Sequence, residues 1–347
     1  MATIKDVARE AGVSIATVSY ALNKTRPINL ETAARVLQVI EKLHYRPNRA
    51  AQSLVTKSTK TISILVSDIS NSFFSGIVRG IEDVANTAGY TVMIGNIEES
   101  FDKAQRYLES VTQLNVDGLI ISPSSGFEKL EVFIRKLNAP VILVNRRLET
   151  LDFDTVITDN EKGAYLATKH LCSLGHTVIG LILGPTSVST YADRLRGYQR
   201  ALKEVGIPIK KELILVGGFQ YESGIHLAKQ LLTGPVKPTA LFVGSGLLTR
   251  GVYQAIKDLE VCIPQELSFI TFDEPEWASF VDPPLTTMAQ PTYEMGKQAG
   301  ELLLKRLTQK KPALWWEEPK EAKVSPPVMI KLEPNLIIRK STRSVVG

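Results

Sequence analysis

Residues 14–20, Ser-Ile-Ala-Thr-Val-Ser-Tyr, bring hydroxyl groups, a methyl group and a phenol together within two helical turns. In a helix, Val18 and Leu22 would face inward, which leaves Ala16 and Tyr20 on the outer surface. A methyl group suits contact with a thymine methyl, and a phenol offers one hydroxyl and a ring. We therefore interpret this stretch as a helix whose outer face could contact base edges in the major groove of DNA.

A first helix and a tight turn are predicted immediately before this stretch. Four apolar residues mark its inner face: Ile4, Val7, Ala8 and Ala11. Thr3 and Asp6 have the spacing of a capping box, and Gly12 can adopt the left-handed conformation that ends a helix. Ser14 can cap the helix that follows. Two short helices around a turn are typical of a helix-turn-helix DNA-binding unit, with a helical hairpin that binds nothing as the alternative.

A third helix is predicted behind Asn29, which can cap it. Its inward residues are predicted to be Leu30, Ala33, Ala34, Leu37 and Ile40. The linker that follows, residues 44–60, has helix-forming potential at residues 49–55. So short a helix is marginal on its own in water. The linker is therefore either a helix that forms on docking or a flexible tether.

The positive charge of the chain is concentrated at its N-terminal end. Residues 1–60 contain ten Lys or Arg and four Asp or Glu, a net charge of +6. The whole chain has a net charge of +5, so residues 61–347 carry −1. A local basic excess suits a polyanionic partner, because each neutralised phosphate releases counterions. This distribution favours nucleic acid over a simple solvated basic surface.

The composition is that of an ordinary globular protein, with 347 residues, 44% of them hydrophobic and 22% charged. No apolar run is long enough for a membrane span, and no signal peptide is recognisable. Cys172 and Cys262 are too isolated for a disulfide framework and are expected to be buried thiols in a reducing compartment. Because the four histidines lack metal-ligand spacing, we expect a cytoplasmic protein with no metal and no cofactor.

One glycine-rich turn has to be weighed as a dinucleotide site. Residues 244–249, Gly-Ser-Gly-Leu-Leu-Thr, follow a predicted strand, but threonine replaces the third glycine of the G-x-G-x-x-G pattern. A tight turn from strand to helix is the simpler interpretation. No nucleophile elbow, phosphate-binding loop or zinc-protease motif occurs, so the sequence predicts that this protein is not an enzyme.

From Thr61 onward, short apolar segments alternate with stretches of helical spacing. This alternation predicts parallel sheets of the doubly wound type, with nine strands between Ile62 and Ala289. Because the pattern restarts near Val178, we expect two similar α/β lobes. Such sheets bind ligands beyond the carboxyl ends of their strands. Polar or aromatic side chains are predicted at those ends: Asn71, Phe73, Asn145, Arg146 and Asp273.

The chain is predicted to contain an N-terminal three-helix domain, a hinge and a two-lobed core. The predicted parts are residues 1–46 (helix-turn-helix), 47–60 (hinge), 61–340 (core) and 341–347 (tail). The predicted lobes are residues 61–160 with 291–320, and 161–290 with 321–340. The segment 315–327 has no assigned role.

Ten short motifs follow one another along the chain. They are ATIKDVA at residues 2–8, GVS at 12–14, TVS at 17–19, YRPN at 45–48, SL at 53–54, VDGL at 116–119, LGH at 174–176, RLRGY at 194–198, FD at 272–273 and PLTT at 284–287. In this order they resemble the LacI/GalR family of bacterial transcription regulators over nearly the whole length. The resemblance implies a homodimer or tetramer that binds a palindromic DNA operator. It also implies a core similar to periplasmic sugar-binding proteins, whose cleft binds a small ligand that sets DNA affinity.

By matching positions, the resemblance implies which residues contact DNA. Ala16 and Tyr20 match positions that read bases, and Leu54 matches the apolar hinge residue that kinks DNA from the minor groove. Tyr20 replaces a frequent arginine and Gln52 a common hinge arginine, so operator preference is expected to differ. The full predicted DNA-binding set is Ser14, Ala16, Thr17, Ser19, Tyr20, Arg26, Asn48 and Leu54.

The resemblance also implies a ligand site in the cleft. The predicted effector-binding residues are Phe73, Arg146, Thr190, Arg194, Phe219 and Asp273. Aromatic faces beside Arg and Asp suit a hydroxylated ligand such as a sugar or sugar acid, although Phe73 and Phe219 could equally be core residues. Asp273 ends an apolar strand, so its carboxylate needs partners. Arg194 and ligand hydroxyls are the expected ones, with a structural ion pair or a cap on the helix that follows Asp273 as the alternative.

Two departures from the family pattern bear on the effector. Val188 occupies a position that is arginine in purine-sensing members, which counts against a purine effector. Gly246 occupies one that is usually Asp or Asn in sugar-responsive members, which counts against a simple neutral sugar. The overall prediction is a repressor of a carbohydrate or sugar-acid catabolic operon, controlled by a small ligand. One alternative is a catabolite-control regulator with a phosphoprotein partner, which residues 291–296 also resemble. A sugar-binding protein or enzyme on the same lobes is the alternative of a different class.

Overall fold

Close contacts divide the chain into two compact units, Met1–Thr59 and Lys60–Gly347. The computed structural model describes residues 2–23, 26–45, 58–124, 126–148, 152–309 and 326–345. The predicted DNA contacts Asn48 and Leu54 lie outside the described residues, as do Gln52 and residues 315–325. None of the described helices is both long and apolar enough to cross a membrane.

Three helices build the first unit: α1 (Ile4–Ala11), α2 (Ile15–Asn23) and α3 (Leu30–Lys42). The predicted capping box is present, because the Thr3 hydroxyl accepts a bond from the Asp6 amide and the Asp6 carboxylate accepts one from the Thr3 amide at 3.0 Å. Gly12 ends α1 with a φ of 63°. The Ser14 hydroxyl accepts a bond from the Thr17 amide at 3.1 Å. These contacts confirm the predicted helix-turn-helix, including its two helix caps and its turn.

Six buried apolar side chains form the core of this unit: Val7, Ala8, Ala11, Val18, Val36 and Val39. The predicted inner face of α3 is wrong in part, because Leu30 is 86% exposed and Leu37 is 50% exposed. Ala34 is exposed as well. Two apolar stripes on α3 have helical spacing, and the one that packs contains Val36 and Val39. Spacing alone does not distinguish two adjacent stripes.

The second unit contains two sheets, as predicted. The first sheet has the strand order β11-β5-β4-β3-β1-β2 and is parallel throughout. Its strands are β1 (Thr61–Val66), β2 (Thr91–Asn96), β3 (Gly118–Ile121), β4 (Val141–Val144), β5 (Asp154–Thr158) and β11 (Met329–Leu332). Its helices are Ser72–Thr87, Phe101–Gln113, Glu131–Lys136 and Thr292–Gln309, with a 3-10 turn at Phe127–Leu130. Apolar side chains are buried on both faces of the sheet, which defines a doubly wound lobe.

The second sheet has the strand order β12-β10-β9-β8-β6-β7, and only β12 is antiparallel to its neighbour within the part of the chain described. Its strands are β6 (Ile179–Leu183), β7 (Ile214–Val216), β8 (Ala240–Val243), β9 (Ser268–Phe272), β10 (Thr286–Ala289) and β12 (Asn335–Ile337). Its helices are Asn160–Ser173, Ser189–Glu204, Tyr221–Leu232 and Gly246–Asp258, with 3-10 turns at Lys211–Leu213 and Glu276–Ser279. This sheet too is covered on both faces.

Three strands were not predicted: β5, β11 and β12. β11 pairs with β5 in the first sheet, so the assignment of residues 321–340 to the second lobe is wrong for Met329–Leu332. Only β12 joins the second sheet from that range. The side chains of β11 alternate between exposed and half-buried, so this edge strand lacks the continuous apolar run of a central parallel strand.

Residues 341–345 are packed against the second lobe. The Ser341 hydroxyl donates to the Phe269 carbonyl at 2.6 Å and accepts from the Thr286 amide at 2.7 Å. The Val345 amide donates to the Leu174 carbonyl at 2.9 Å. The predicted tail is therefore, up to residue 345, an ordered part of the core.

The two cysteines differ from the expectation that both are buried. Cys172 is half-buried, and burial raises the pKa of its thiol. Cys262 is exposed. It lies in a turn after the helix Gly246–Asp258, where its amide donates to the Glu266 carboxylate at 2.7 Å and its side chain is left outside the core.

Candidate functional site

The outer face of α2 presents small side chains and one aromatic ring. Ile15 is 44% exposed and Ala16 is also exposed, while Tyr20 is half-buried. The guanidinium carbon of Arg26 lies 5.3 Å from the centroid of the Tyr20 ring, a cation–π contact. Ala16, Tyr20 and Arg26 therefore form an outward group with a methyl, a phenol and a positive charge.

The hydroxyl side chains of α2 are less available than the sequence suggests. Ser14 caps the helix, and its hydroxyl lies 2.9 Å from that of Thr17. Thr17 and Ser19 are both half-buried. Ser14 and Thr17 thus hold the start of the helix in place, and Ser14 remains exposed.

A cavity of about 440 Å³ lies between the lobes of the second unit, at the carboxyl ends of the strands. All six predicted effector-binding residues line this one cavity: Phe73, Arg146, Thr190, Arg194, Phe219 and Asp273. The first lobe contributes residues that follow β1, β2 and β4, and the second lobe contributes residues that follow β6 to β10. The position agrees with the general rule for ligand sites in open α/β sheets.

Arg146 is held by a carboxylate that was not predicted. Its two terminal nitrogens donate to the two oxygens of Glu99 at 2.8 and 2.7 Å, and one of them also donates to the Pro123 carbonyl at 3.0 Å. The side chains of Arg146 and Glu99 are only 8% and 17% exposed. Across the cleft, the Arg146 guanidinium lies 5.4 Å from the centroid of the Phe219 ring. The charge of Arg146 is thus neutralised by Glu99 of its own lobe, and its guanidinium contacts the Phe219 ring of the other lobe.

Arg194 has different partners from those expected. Its Nε donates to Asn160 Oδ1 at 2.9 Å, one terminal nitrogen donates to the Gly244 carbonyl, and its guanidinium carbon lies 3.7 Å from the centroid of the Phe272 ring. Burial lowers the pKa of Arg194, and the charge of Asp273 acts in the opposite direction. The expected hydrogen bond between these two side chains is absent from the described contacts, because polar groups of the second lobe already hold Arg194.

Asp273 is held by the neighbouring helix and by an amide. Its φ of 76° is in the left-handed region, and one carboxylate oxygen accepts a bond from the Gly246 amide at 2.8 Å. The other oxygen accepts from Gln290 Nε2 at 2.5 Å. The predicted alternative, a cap on the helix that follows Asp273, is absent from the described contacts; the carboxylate instead accepts a bond from the first residue of the helix Gly246–Asp258, whose N-cap is Ser245. The carboxylate still lines the cavity.

The aromatic residues serve packing and cavity lining together. Phe73 is 8% exposed and makes an edge-to-face contact with Phe74 at 5.1 Å between centroids. Phe219 lies 6.0 Å from Tyr191, and burial raises the pKa of the Tyr191 phenol. Since Phe73 and Phe219 line the cavity and also pack in the lobes, the two interpretations of these residues are compatible.

An ion pair between the lobes lies next to the cavity. Arg147 donates to both carboxylate oxygens of Asp193, at 2.5 and 3.0 Å, and its amide donates to the Ser189 hydroxyl at 3.1 Å. Arg147 follows β4 of the first lobe, and its two partners lie on the helix Ser189–Glu204 of the second. These bonds fix the position of Arg146 relative to Arg194.

Several lining residues were missed by the sequence analysis. They are Asp68, Glu98, Glu99, Tyr191, Ser245, Arg250 and Gln290. Asp68, Glu99 and Gln290 each lie within three residues after a strand, so the strand-end rule that identified Asp273 would also have found them. Val188 is 4% exposed and packs in the core of the second lobe. The glycine pair at 244–246 forms the predicted tight turn, with Ser245 capping the helix.

A helix-turn-helix unit, in one chain with a two-lobed core that has a cavity between its lobes, defines a DNA-binding regulator of transcription. Residues 3–48 match the bacterial regulatory proteins of the lacI family, and residues 168–342 match a periplasmic binding protein-like domain. The chain belongs to the LacI family of bacterial regulatory proteins. Relatives that support this assignment are named transcriptional repressors.

Three comparisons illustrate the relationship. The HTH-type transcriptional repressor PurR of Photobacterium profundum is 35% identical over 346 residues, which cover 99% of this chain and 100% of the relative. The ribose operon repressor of Escherichia coli K12 is 37% identical over 310 residues, 89% of this chain and 94% of the relative. The Lac repressor dimer bound to operator and the anti-inducer ONPF superposes with a TM-score of 0.84 at 27% identity, covering 99% of both chains.

Proposed function

We propose that this protein represses a carbohydrate catabolic operon and that a hydroxylated small molecule, bound between the lobes, sets its affinity for the operator. The observation that carries the proposal is that all six residues predicted from the family resemblance line one cavity. Its walls combine aromatic faces with guanidinium, carboxylate and amide groups, the combination that suits a sugar. Binding to an operator places the proposed activity in the bacterial cytoplasm.

The DNA-binding part of the proposal rests on α2 and on charge. Ala16 and Tyr20 lie on the outer face of the helix, and Arg26 adds a positive charge beside the phenol. The basic excess of the chain lies in residues 1–60. We assign base contacts to Ala16 and Tyr20, and phosphate contacts to the surrounding Lys and Arg residues.

The choice of a sugar rests on two observations. The ribose operon repressor is among the relatives, at 37% identity. Val188 is aliphatic and buried where purine-sensing members of the family carry arginine, so it offers no charged group to a purine. The PurR relatives are similarly close in overall identity, so the distinction rests on the residues around the cavity.

We further propose that the operator-binding form is a homodimer that recognises a palindrome. Phe280 is 86% exposed, and Met93 and Ile94 on the edge strand β2 are 43% and 47% exposed. Apolar groups left outside the core in this way suit contact with a second copy of the chain. A two-fold dimer presents two α2 helices to two half-sites, which accounts for a palindromic operator.

The test selects the operator before it seeks the ligand. The purified protein is incubated with a library of random DNA duplexes, and bound sequences are amplified and read. Sugars, sugar acids and sugar phosphates are then screened for an increase in Tm, because a ligand that binds the folded state stabilises it by mass action. We expect a palindromic consensus and at least one sugar that both raises the Tm and changes operator affinity. A library without an enriched sequence, or stabilising ligands that leave operator affinity unchanged, would contradict the proposal.

A further inference from the structure

Glu99 occupies the terminal nitrogens of the Arg146 guanidinium, the group that an anionic ligand would bind. Carboxylates and phosphates bind arginine best through two parallel bonds to its terminal nitrogens. In this cavity both terminal nitrogens of Arg146 already donate to Glu99, at 2.8 and 2.7 Å, and only its buried Nε has no partner among the described contacts. An anionic ligand could therefore make at most one bond to Arg146, unless it displaced Glu99 and left that carboxylate unpaired.

The other guanidinium groups at the cavity offer an anion a weaker site, because Arg194 is largely occupied and solvent screens the charge of the exposed Arg250. Arg194 uses its Nε and one terminal nitrogen for Asn160 and Gly244, which leaves one terminal nitrogen for a single ligand oxygen. Arg250 is exposed and lies 5.4 Å from the Tyr221 ring. Around the cavity there are four carboxylates and three guanidinium groups: Asp68, Glu98, Glu99 and Asp273, against Arg146, Arg194 and Arg250. The lining therefore has no net positive charge to attract an anion.

We propose that Glu99 is a specificity-determining residue that restricts this cavity to uncharged, hydroxylated ligands and excludes sugar acids and sugar phosphates. The inference rests on the proposed ligand-binding role of the cavity. Hydroxyl groups can donate to the carboxylates that line the site without displacing any ion pair. An added negative charge would face those carboxylates at short range and would lose its own hydration.

The first experiment probes the guanidinium group of Arg146 with inorganic phosphate, so it does not require the effector to be known. Glu99→Gln removes the charge and one acceptor oxygen, which frees Arg146 for an anion. At constant ionic strength, we expect millimolar phosphate to raise the Tm of this variant by about 2–4 °C, and to shift that of the parent by less than about 1 °C. The matched control is Asp68→Asn, which makes the same change in charge at the same cavity without freeing a guanidinium.

A phosphate response in Glu99→Gln but in neither the parent nor Asp68→Asn supports the proposal. The same response in all three proteins, or in none, overturns it. Circular dichroism establishes that the variant folds. Operator binding by the parent is measured in parallel, so failure of the proposed DNA function is separated from failure of the Glu99 assignment.

The second experiment uses only the parent protein and remains decisive if the variant does not fold. Each neutral sugar is compared with its own acid and phosphate: ribose with ribonate and ribose 5-phosphate, and glucose with gluconate and glucose 6-phosphate. We expect every stabilising ligand to be the neutral member of its set. An acid or phosphate that raises the Tm of the parent more than its neutral counterpart overturns the proposal.

Discussion

The two units of this protein present their candidate functional residues in opposite ways. In the first unit, Ala16, Tyr20 and Arg26 lie on the outside of a small apolar core and have few partners. In the second, Arg146 and Asp273 are buried or half-buried and already hydrogen-bonded. A surface that reads DNA must be open to a large rigid polyanion, whereas a site for a small ligand is preorganised by internal bonds.

The units also differ in charge. The first 60 residues carry a net charge of +6, and the remaining 287 residues carry −1. Electrostatic attraction to DNA phosphates is therefore a property of the first unit. Ligand contacts in the second unit can change without altering the charge of the DNA-binding surface. The comparison predicts that substitutions in one unit leave the direct function of the other intact.

The largest expected effect follows from removing the first unit. A fragment of residues 61–347 keeps both sheets and the cavity but loses α1 to α3, so we expect it to fold, to bind ligand and to lose DNA binding. For the intact protein, log affinity for duplex DNA should fall linearly with log salt concentration, with several phosphates neutralised per dimer. Fluorescence anisotropy measures both properties. Tight binding of duplex DNA by the fragment would contradict the division between the units.

The next largest effect is expected at Asp273. Asp273→Asn keeps the shape of the side chain but removes the negative charge to which the Gly246 amide and ligand hydroxyls donate. Hydrogen bonds to a charged group contribute about 1.5–3 kcal/mol each. We expect the affinity for a stabilising sugar to fall at least tenfold in calorimetric titrations. The exposed Asp152→Asn serves as the control. A variant with parental Tm and parental sugar affinity would remove Asp273 from the site.

A pair of neighbouring substitutions in α3 tests the corrected packing of the first unit. Val36 is fully buried and Leu37 is 50% exposed. Val36→Ala should destabilise the three-helix unit by about 2 kcal/mol, since it deletes two buried methyl groups and leaves a cavity, whereas Leu37→Ala should change stability by less than about 0.5 kcal/mol. Hydrogen exchange at the Val7 and Val18 amides measures the stability of this unit within the intact protein. Equal effects of the two substitutions would show that Leu37 packs in the core, as the sequence predicted.

The smallest expected effect is a dependence on pH in the second unit. His176 is 2% exposed and contacts the Thr239 and Ser268 hydroxyls at 2.9 Å, and burial lowers its pKa. The folded state therefore favours the neutral ring. The contribution of the neutral His176 ring to the stability of the folded state is complete above the ordinary pKa of 6.5. It is lost as the pH falls through the lowered pKa of the folded state.

His176→Gln should consequently reduce the difference between the Tm of the core at pH 7.5 and at pH 5.5, by on the order of 1–2 °C. His226 is exposed, so His226→Gln should leave that difference unchanged. An unaltered pH dependence in His176→Gln would assign the effect to other groups, of which His170 is the first candidate because burial lowers its pKa too.

The sequence predicts the parts of this molecule that depend on local rules. The caps at Thr3, Ser14 and Asn29 and the turn at Gly12 are formed by neighbours along the chain, so residue type and spacing are sufficient. Periodicity was insufficient on α3, where two apolar stripes compete. It also missed β11, whose place at the edge of the first sheet depends on pairing with β5, more than 170 residues away.

The residues that line the cavity could be predicted from the sequence, but their hydrogen-bond partners could not. Phe73, Arg146 and Asp273 each follow a strand and match a family position. The contact of Arg146 with Glu99 spans 47 residues, and the contact of Arg194 with Asn160, in place of Asp273, depends on how two helices of the second lobe pack against each other.

The division of DNA binding and ligand binding between the two units is tested most directly by measuring both functions in two variants of the intact protein. Tyr20→Ala and Asp273→Asn are compared with the parent for binding of the selected operator by anisotropy, with and without a stabilising sugar, and for sugar binding by Tm shift. We expect Tyr20→Ala to weaken binding of the preferred operator by about 1–3 kcal/mol and to keep the Tm shift with sugar. We expect Asp273→Asn to keep its operator affinity without sugar and to lose the response to sugar. Parental operator binding by Tyr20→Ala, or a response of Asp273→Asn at the parental sugar concentration, would show that the two units do not have these separate roles.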